Sequence, residues 1–427
     1  ARKSYLKALD PIHHQGLRIS LGAFRTSPKE SLYAESGEPP LELRRLRLSM
    51  NYFLKIKASP DNPAYDCVVN PLFENKYEKK PNEIPPFGIR IRPHFTEAGI
   101  DIDSVSDDPL QTMLPSWKLV SPNINFQLTA FKKDNTSAAV YKQRYLEQCS
   151  HYTGFEIFFT DGSLKDDSVA AASVSERRLR RPMQHRLPDG CSIYTAELKA
   201  ILLALKHIYQ SSHSSFLIVS DSLSALQAIS TRKISHPFLA DLHDLHSELV
   251  GEGKEIVFLW VPSHMGIRGN DIVDRAAKEA LQQEIICEPL QFIPCKDLYS
   301  KSYSYCFKLW KDEWARQVNN KLFKIFPDLS DPPPRFASNR KEETVLSRLH
   351  IGHSFITHGF LLRGEDPPWC HFCDSLFSVH HFLTDCSDLI QIKETFYESS
   401  DLNVIFRETD CSKVFNFLKE VSLFAKI

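Results

Sequence analysis

Between residues 153 and 285 the apolar positions switch between two periods. Phe155-Glu156-Ile157-Phe158-Phe159-Thr160 is an apolar run of strand length that stops at Asp161-Gly162. Residues 168–175 and 191–194 read as further strands, with the basic stretch Arg177-Arg178-Leu179-Arg180-Arg181 between them. Residues 195–208 have the spacing of a long helix, and 216–220 that of a buried strand running into Asp221 and a short helix. Ser235 is the expected N-cap of a helix with Pro237 in its first turn and Phe238, Leu242, Leu245 and Leu249 on one stripe. A strand at 255–261 and a helix at 271–281 complete the set. Three strands, helix, strand, two helices, strand and helix predict an α/β domain: a mixed sheet with helices packed on it.

The flanks are patterned differently. Residues 1–75 carry short helical repeats, such as Leu43, Leu46, Met50 and Leu54 on one face of a helix at 41–57. These faces have no evident partner nearby in sequence, so this tail is expected to be the least stable part. Residues 76–152 are rich in Pro, Asp and Ser and predict an irregular connection. Residues 286–344 read as a helical, aromatic linker (Tyr299, Tyr303, Phe307, Trp310, Trp314) broken at Pro332-Pro333-Pro334, and 345–427 as a small Cys/His module. There is no internal repeat.

Composition narrows the class without choosing it. A chain of 427 residues has room for two or three cores, and its net charge of −1 argues neither for nor against a nucleic-acid partner. The best apolar run, at 200–205, stops at Lys206, far short of the roughly 18 to 20 residues of a membrane span. Ala1-Arg2-Lys3-Ser4 lacks the apolar core of a signal peptide and an initiator Met, so a fragment of something longer is expected. Seven of the ten cysteines (Cys67, Cys149, Cys191, Cys287, Cys295, Cys306, Cys411) have no metal-like spacing and read as reduced thiols. The expectation is a monomeric intracellular protein of the nucleus or cytoplasm, with no membrane partner.

Four acids fall where strands end or helices begin: Asp161, Glu197, Asp221 and Asp274. Any one alone reads as a turn, cap or solvated residue. If they converge they repel one another unless cations hold them, which makes a natural site for hard divalent metals. Two such ions roughly 3.5 to 4 Å apart activate a water and stabilise a leaving phosphodiester oxygen. Asp166, Asp167 and Asp271 read as surface charges, Asp271 also as a helix-capping acid.

Thr160-Asp161-Gly162-Ser163, Thr195-Ala196-Glu197-Leu198, Ser220-Asp221-Ser222 and Val261-Pro262-Ser263-His264 with Gly269-Asn270-Asp271-Ile272-Val273-Asp274 resemble, in order, the signature segments of the ribonuclease H family. The resemblance implies a five-stranded ribonuclease H-like mixed sheet and hydrolysis of the RNA strand of RNA–DNA hybrids, with two Mg²⁺ or Mn²⁺ ions. Asp161, Glu197, Asp221 and Asp274 match its metal-binding acids. His264 matches a mobile histidine that moves protons and helps product leave, and Asn270 an asparagine supporting the hybrid or the site. Such a domain grips its substrate through the backbone. Gly162 and Ser163 are candidates for close approach to the strand, and Arg177 and Arg178, with Arg180, Arg181 and Arg186, for phosphate contact or merely a solvated hairpin.

Near the C-terminus Cys370 and Cys373 form a Cys-x2-Cys knuckle in Trp369-Cys370-His371-Phe372-Cys373, followed by His381 and Cys386. Three thiolates and an imidazole make a closed, structural Zn²⁺ site, with His380 as the alternative to His381. Trp369, Phe372 and Phe382 are candidates for stacking on single-stranded nucleic acid or for the module's own core. Leu346-Ser347-Arg348-Leu349-His350-Ile351-Gly352-His353 before this knuckle resembles the C-terminal region of arthropod non-LTR retrotransposon polyproteins. Leu17-Arg18-Ile19-Ser20-Leu21-Gly22-Ala23-Phe24-Arg25-Thr26-Ser27-Pro28, with Leu32-Tyr33-Ala34-Glu35 and Gly37-Glu38-Pro39-Pro40, resembles the tail of their reverse transcriptase. Asp107-Asp108 sits in a polar loop, not on the apolar hairpin of a polymerase motif, so no RNA copying is expected. The other function class the sequence admits is a catalytically silent, nucleic-acid-binding remnant.

Overall fold

The computed structural model describes residues 5–6, 8–72, 76–77, 84–106, 112–231, 233–282, 293–332 and 337–427. Asp107-Asp108, Cys287, Pro333 and Pro334 lie outside the described residues. The chain forms two compact units, Ser49–Ser302 and the pairing of Ala1–Leu48 with Tyr303–Ile427.

The first unit is built on six strands: β1 (Asn123–Asn125), β2 (Glu156–Lys165), β3 (Ser168–Ser175), β4 (Met183–Leu187), β5 (Ser215–Ser220) and β6 (Glu255–Trp260). Their order is β1-β6-β5-β2-β3-β4. β1, β6, β5 and β2 run parallel, while β2, β3 and β4 form an antiparallel meander. The helices that matter to this sheet are α1 (Ala138–Ser150), α2 (Ile193–Tyr209), α3 (Leu223–Ile229), α4 (Pro237–Gly251) and α5 (Arg268–Ala280).

Successive residues of a strand point to opposite faces, and both faces here are covered, so the strands are apolar throughout. Phe159, Val174, Leu217, Val219, Val257 and Leu259 pack with Val273, Ala276 and Ala277 of α5. On the other face Ala171 meets Ala200 and Leu203 of α2. Ala170, Ala171 and Ala172 are fully buried; their small side chains admit a helix on either side of β3.

From β2 onward the order of elements is the one the periodicity predicts. Three details differ. The third strand is Met183–Leu187, not 191–194: there Ser192 is instead the N-cap of α2, its side chain accepting from the Thr195 N–H. The cap of α4 is His236 rather than Ser235, its ring accepting from the Phe238 N–H. The sheet has six strands instead of five, because β1 pairs in register with β6 (Ile124 opposite Phe258). Asn-Ile-Asn is too short to show alternation, so its role comes only from the edge that β6 offers. The connection that supplies it also contains α1, whose Tyr141 and Tyr145 are buried.

In the second unit the N-terminal helices do find a partner, contrary to expectation. Leu17, Leu21, Leu32 and Leu43 share a core with Trp310, Trp314, Leu322, Phe326 and Ile351. Leu46 is only half-buried; Met50 and Leu54, further along the same helix, fall in the first unit and are fully buried there. A second cluster joins Ile325, Leu346 and Leu349 to Phe382, Phe406, Phe415 and Phe417, so the stretch read as a linker supplies core residues. Among the described residues no helix is long and apolar enough to cross a membrane.

Gly269, in the first turn of α5, is where this helix touches the sheet most tightly: a Cβ there would lie 2.1 Å from a ring carbon of Phe159. Alanine normally favours a helix over glycine by about 1 kcal/mol. Here the overpacking outweighs that gain, and Gly269→Ala is expected to lose about 1–3 kcal/mol in urea unfolding. An unchanged or raised midpoint would refute the contact.

Candidate active site and metal centre

The site forms where the middle of β2 and the end of β5 meet the start of α2. Asp161 lies on β2, level with Ala172 of β3. Asp221 follows the last residue of β5, and Glu197 occupies the first turns of α2. One carboxylate oxygen from each of Asp161, Glu197 and Asp221 lies within 4.8 Å of the other two. Asp161 and Glu197 are 6% and 8% exposed.

Gly162 makes this convergence possible. A Cβ there would lie 2.9 Å from the Ala196 side chain and 3.0 Å from the Glu197 nitrogen, so only glycine lets β2 sit against the first turn of α2. Its N–H faces the acids it brings together, Asp161 and Glu197, and favours their charged forms. Asn270, 3% exposed on α5, donates from Nδ2 to Asp221 Oδ2 at 3.1 Å. Trp260 donates from Nε1 to the Asp221 carbonyl at 3.1 Å, fixing the turn after β5.

Crowding three carboxylates in a buried corner opposes their ionisation. Burial, then Asp221 and Asp274, push the Asp161 carboxyl up to about 8. Burial, then Asp161 and Asp221, push Glu197 well above the usual range. Asp221 is raised chiefly by burial, with the Asn270 hydrogen bond and nearby His264 pulling the other way. Glu197 Oε2 and Asn270 Oδ1 are buried without a partner. Acceptor oxygens without donors, among acids that suppress one another's charge, fit hard divalent cations.

The fourth predicted acid is placed close by but not in the trio. Asp274 raises both Asp161 and Asp221, while its carboxylate pairs with Lys278 Nζ at 2.7 Å, one turn along α5. His264 is exposed on the loop after β6 in a left-handed conformation (φ 59°), near enough to Asp221 to favour its charged form. Gly266, two residues on, is also at positive φ.

The other candidates fall into place unevenly. Gly162 is closed off by Ala196 and Ser163 is 7% exposed, so both shape the site more than they present a surface. Arg177 and Arg178 are exposed beyond the end of β3 that pairs with the start of β2, away from Asp161 in the middle of that strand. Arg177 contacts His213 there at 2.7 Å. Arg186 is buried, donating to the carbonyls of Val169, Leu187 and Leu281, to Ser168 Oγ and to Asp189: a structural anchor. Asp166 and Asp167 are exposed, as expected, and Asp271 lies in the first turn of α5. Sequence reading missed Lys133, whose Nζ reaches Ser263 Oγ at 3.1 Å beside His264. It lies 130 residues away in a polar stretch without any signal.

Residues 154–282 match the RNase H family model. The match begins just before β2 and ends just after α5, so it spans Asp161, Glu197, Asp221, His264 and Asp274 and leaves β1 and Lys133 outside. The mixed sheet with flanking helices is that of an RNase H-like domain.

A second cluster lies in the other unit. Ligand atoms of Cys370, Cys373, His381 and Cys386 all fall within 4.8 Å of one another. Cys386 Sγ is 3.9 Å from both Cys370 Sγ and Cys373 Sγ. A tetrahedral ion with bonds of about 2.3 Å to sulfur sets its ligands about 3.8 Å apart. His381 contacts Ser375 Oγ through Nδ1 and has a buried, unpartnered Nε2. His380 is exposed and paired with Asp385 at 2.8 Å, so His381 is the histidine of the cluster. Cys370 lies on a two-residue strand paired with Ser375–Leu376. Phe382 is 1% exposed and belongs to the core, whereas Trp369 and Phe372 are 49% and 74% exposed.

The raised Asp161 gives a pH-dependent signature. Its folded value, about 8, lies above the ordinary 3.8. Folding without a cation therefore takes up a proton, and the stability tied to this group, full in acid, is lost as pH rises towards 8. In magnesium-free buffer Asp161→Asn is expected to raise the melting temperature by a few degrees at pH 8 and by less at pH 5. A gain independent of pH, or larger at pH 5, would contradict the raised carboxyl.

Proposed function

We propose that the RNase H domain cleaves the RNA strand of RNA–DNA hybrids, with two Mg²⁺ ions (or Mn²⁺) held by Asp161, Glu197, Asp221 and Asp274. The observation carrying this reading is the buried trio of Asp161, Glu197 and Asp221, whose ligand atoms lie within 4.8 Å and include an orphaned Glu197 oxygen. Bound divalent ions would supply an activated water and charge stabilisation at the leaving 3′-oxygen. The protein's own residues do the rest. Asn270 favours the charged form of Asp221 through Nδ2, and the Gly162 N–H acts in the same direction on Asp161 and Glu197, against the burial that raises all three. His264, exposed beside Asp221, accepts and returns a proton at an imidazole nitrogen as product leaves. Lys133, beside the His264 loop, offers its ammonium to a substrate phosphate.

The Cys370, Cys373, His381 and Cys386 cluster holds one structural Zn²⁺ in this reading, with no open position for water. Exposed Trp369 and Phe372 beside it offer stacking faces for single-stranded nucleic acid. Together with the resemblances at both ends of the chain, this supports reading the protein as the C-terminal part of a retroelement polyprotein of the non-LTR type.

Asp221→Asn is expected to lower cleavage of a labelled hybrid at least a hundredfold with the fold intact by circular dichroism, and His264→Ala to lower it less. Binding without cutting in Mg²⁺ or Mn²⁺ by the unsubstituted chain would favour the silent remnant, and undiminished cutting by Asp221→Asn would sink the active-site assignment. Elemental analysis should find one zinc per chain, lost in Cys370→Ser and Cys386→Ser and retained in His380→Ala.

A further inference from the structure

Glu197 must stay beside Asp161 and Asp221 although all three repel one another. It sits two residues past Thr195, just beyond the first turn of α2, so its place depends on that turn, where helices fray most readily because the early N–H groups lack partners within the helix. What holds this turn comes from beyond the stretch matched by the RNase H family. Asp297, 6% exposed, accepts from the Ser192 N–H at 2.8 Å, from Ser192 Oγ at 2.9 Å and from Thr195 Oγ1 at 2.5 Å. Ser192 Oγ in turn accepts from the Thr195 N–H at 3.2 Å.

The donors can be ordered. His236 Nδ1 accepts from the Phe238 N–H at 3.1 Å, so its other nitrogen, Nε2, carries the proton. Nε2 lies 2.8 Å from Thr195 Oγ1 and donates to it, which frees the threonine proton for Asp297. His236 caps α4 and Ser192 caps α2, so one buried carboxylate ties together the starts of two helices. The segment carrying Asp297 is itself fastened to the body of the unit. Ile293 exchanges backbone hydrogen bonds with Ser104 and Ser106 at 2.6 and 2.9 Å, and Lys296 Nζ donates to the Ser235 carbonyl at 2.9 Å.

We infer that Asp297 is a positioning residue for Glu197, acting through Ser192 and Thr195 to hold the first turn of α2 against the repulsion of the acid trio. A negative charge at a helix N-terminus is favourable, and a buried carboxylate with three donors keeps its geometry. Without it the turn loosens and Glu197 withdraws from the other two acids, which relieves their mutual repulsion and weakens their joint hold on a cation. The inference rests on reading the trio as a divalent-metal site.

The test is thermal unfolding of the whole chain across a Mg²⁺ titration, read as the concentration giving half of the maximal stabilisation. Substitution of residues that orient metal ligands costs about 10- to 100-fold in affinity. Asp297→Ala is expected to raise the half-maximal Mg²⁺ about tenfold or more. Thr195→Val should raise it too, and Thr195→Ser, which keeps the hydroxyl, should restore it. Leu242→Ala and Ile229→Val, core truncations away from the turn, should lower the melting temperature without moving the Mg²⁺ midpoint; this separates positioning from general destabilisation. A midpoint unchanged in Asp297→Ala, or in Thr195→Val should Asp297→Ala not fold, would overturn the inference while leaving the metal site standing. No Mg²⁺ stabilisation of the unsubstituted chain would instead remove the metal-site reading, and the inference with it.

Discussion

Three carboxylates pressed into one buried corner set the terms for the rest of the first unit. Left alone, such groups separate or take up protons, because burial and mutual repulsion both penalise their charge. The scaffold prevents separation by making each acid part of a different rigid element: Asp161 in a central strand, Asp221 at the end of its parallel neighbour, Glu197 just past the first turn of a long helix. Strand pairing fixes the first two against each other, since Thr160 is in register with Ser220. The third depends on contacts at a helix start, and there the structure concentrates its small residues and buried hydrogen bonds.

Close approach and polar satisfaction are therefore two sides of one design. Gly162 gives up a side chain so that β2 can touch α2, and Gly269 does the same for Phe159 against α5. The amide of Asn270 then donates to Asp221, and the N–H of Gly162 faces Asp161 and Glu197; both oppose protonation of the acids. These donors moderate the penalty without removing it, as the raised Asp161 and Glu197 show. The remaining tension is what a divalent cation would relieve, which is how a folded site stores affinity for an ion.

The zinc-type cluster in the second unit follows the opposite logic. Its ligands come from one short stretch, 370–386, and three of them are thiols that carry no charge until a metal or base removes the proton. Its core is shared with residues as distant as Ile325 and Phe417, so the small Cys/His motif is one corner of a larger helical body. The N-terminal helices belong to that unit as well, through Trp310 and Trp314.

Much of this was written locally. The alternation around 155–160, the long apolar helix of 195–208 and the order of elements follow from period and length, because each strand and helix buries its own face. The three acids that the fold brings together and the Cys/His spacing were legible because each falls within a short sequence motif. What only the tertiary structure decided involves residues far apart in sequence. A three-residue strand exists because β6 leaves an open edge. Helices near residue 20 are buried by tryptophans near 310. His381 and not His380 faces the cysteines because the turn after Ser378 puts one ring inside and leaves the other in solvent. Lys133 and Asp297 reach the site from segments with no pattern of their own, since hydrogen bonds between distant side chains impose no period on the sequence that supplies them.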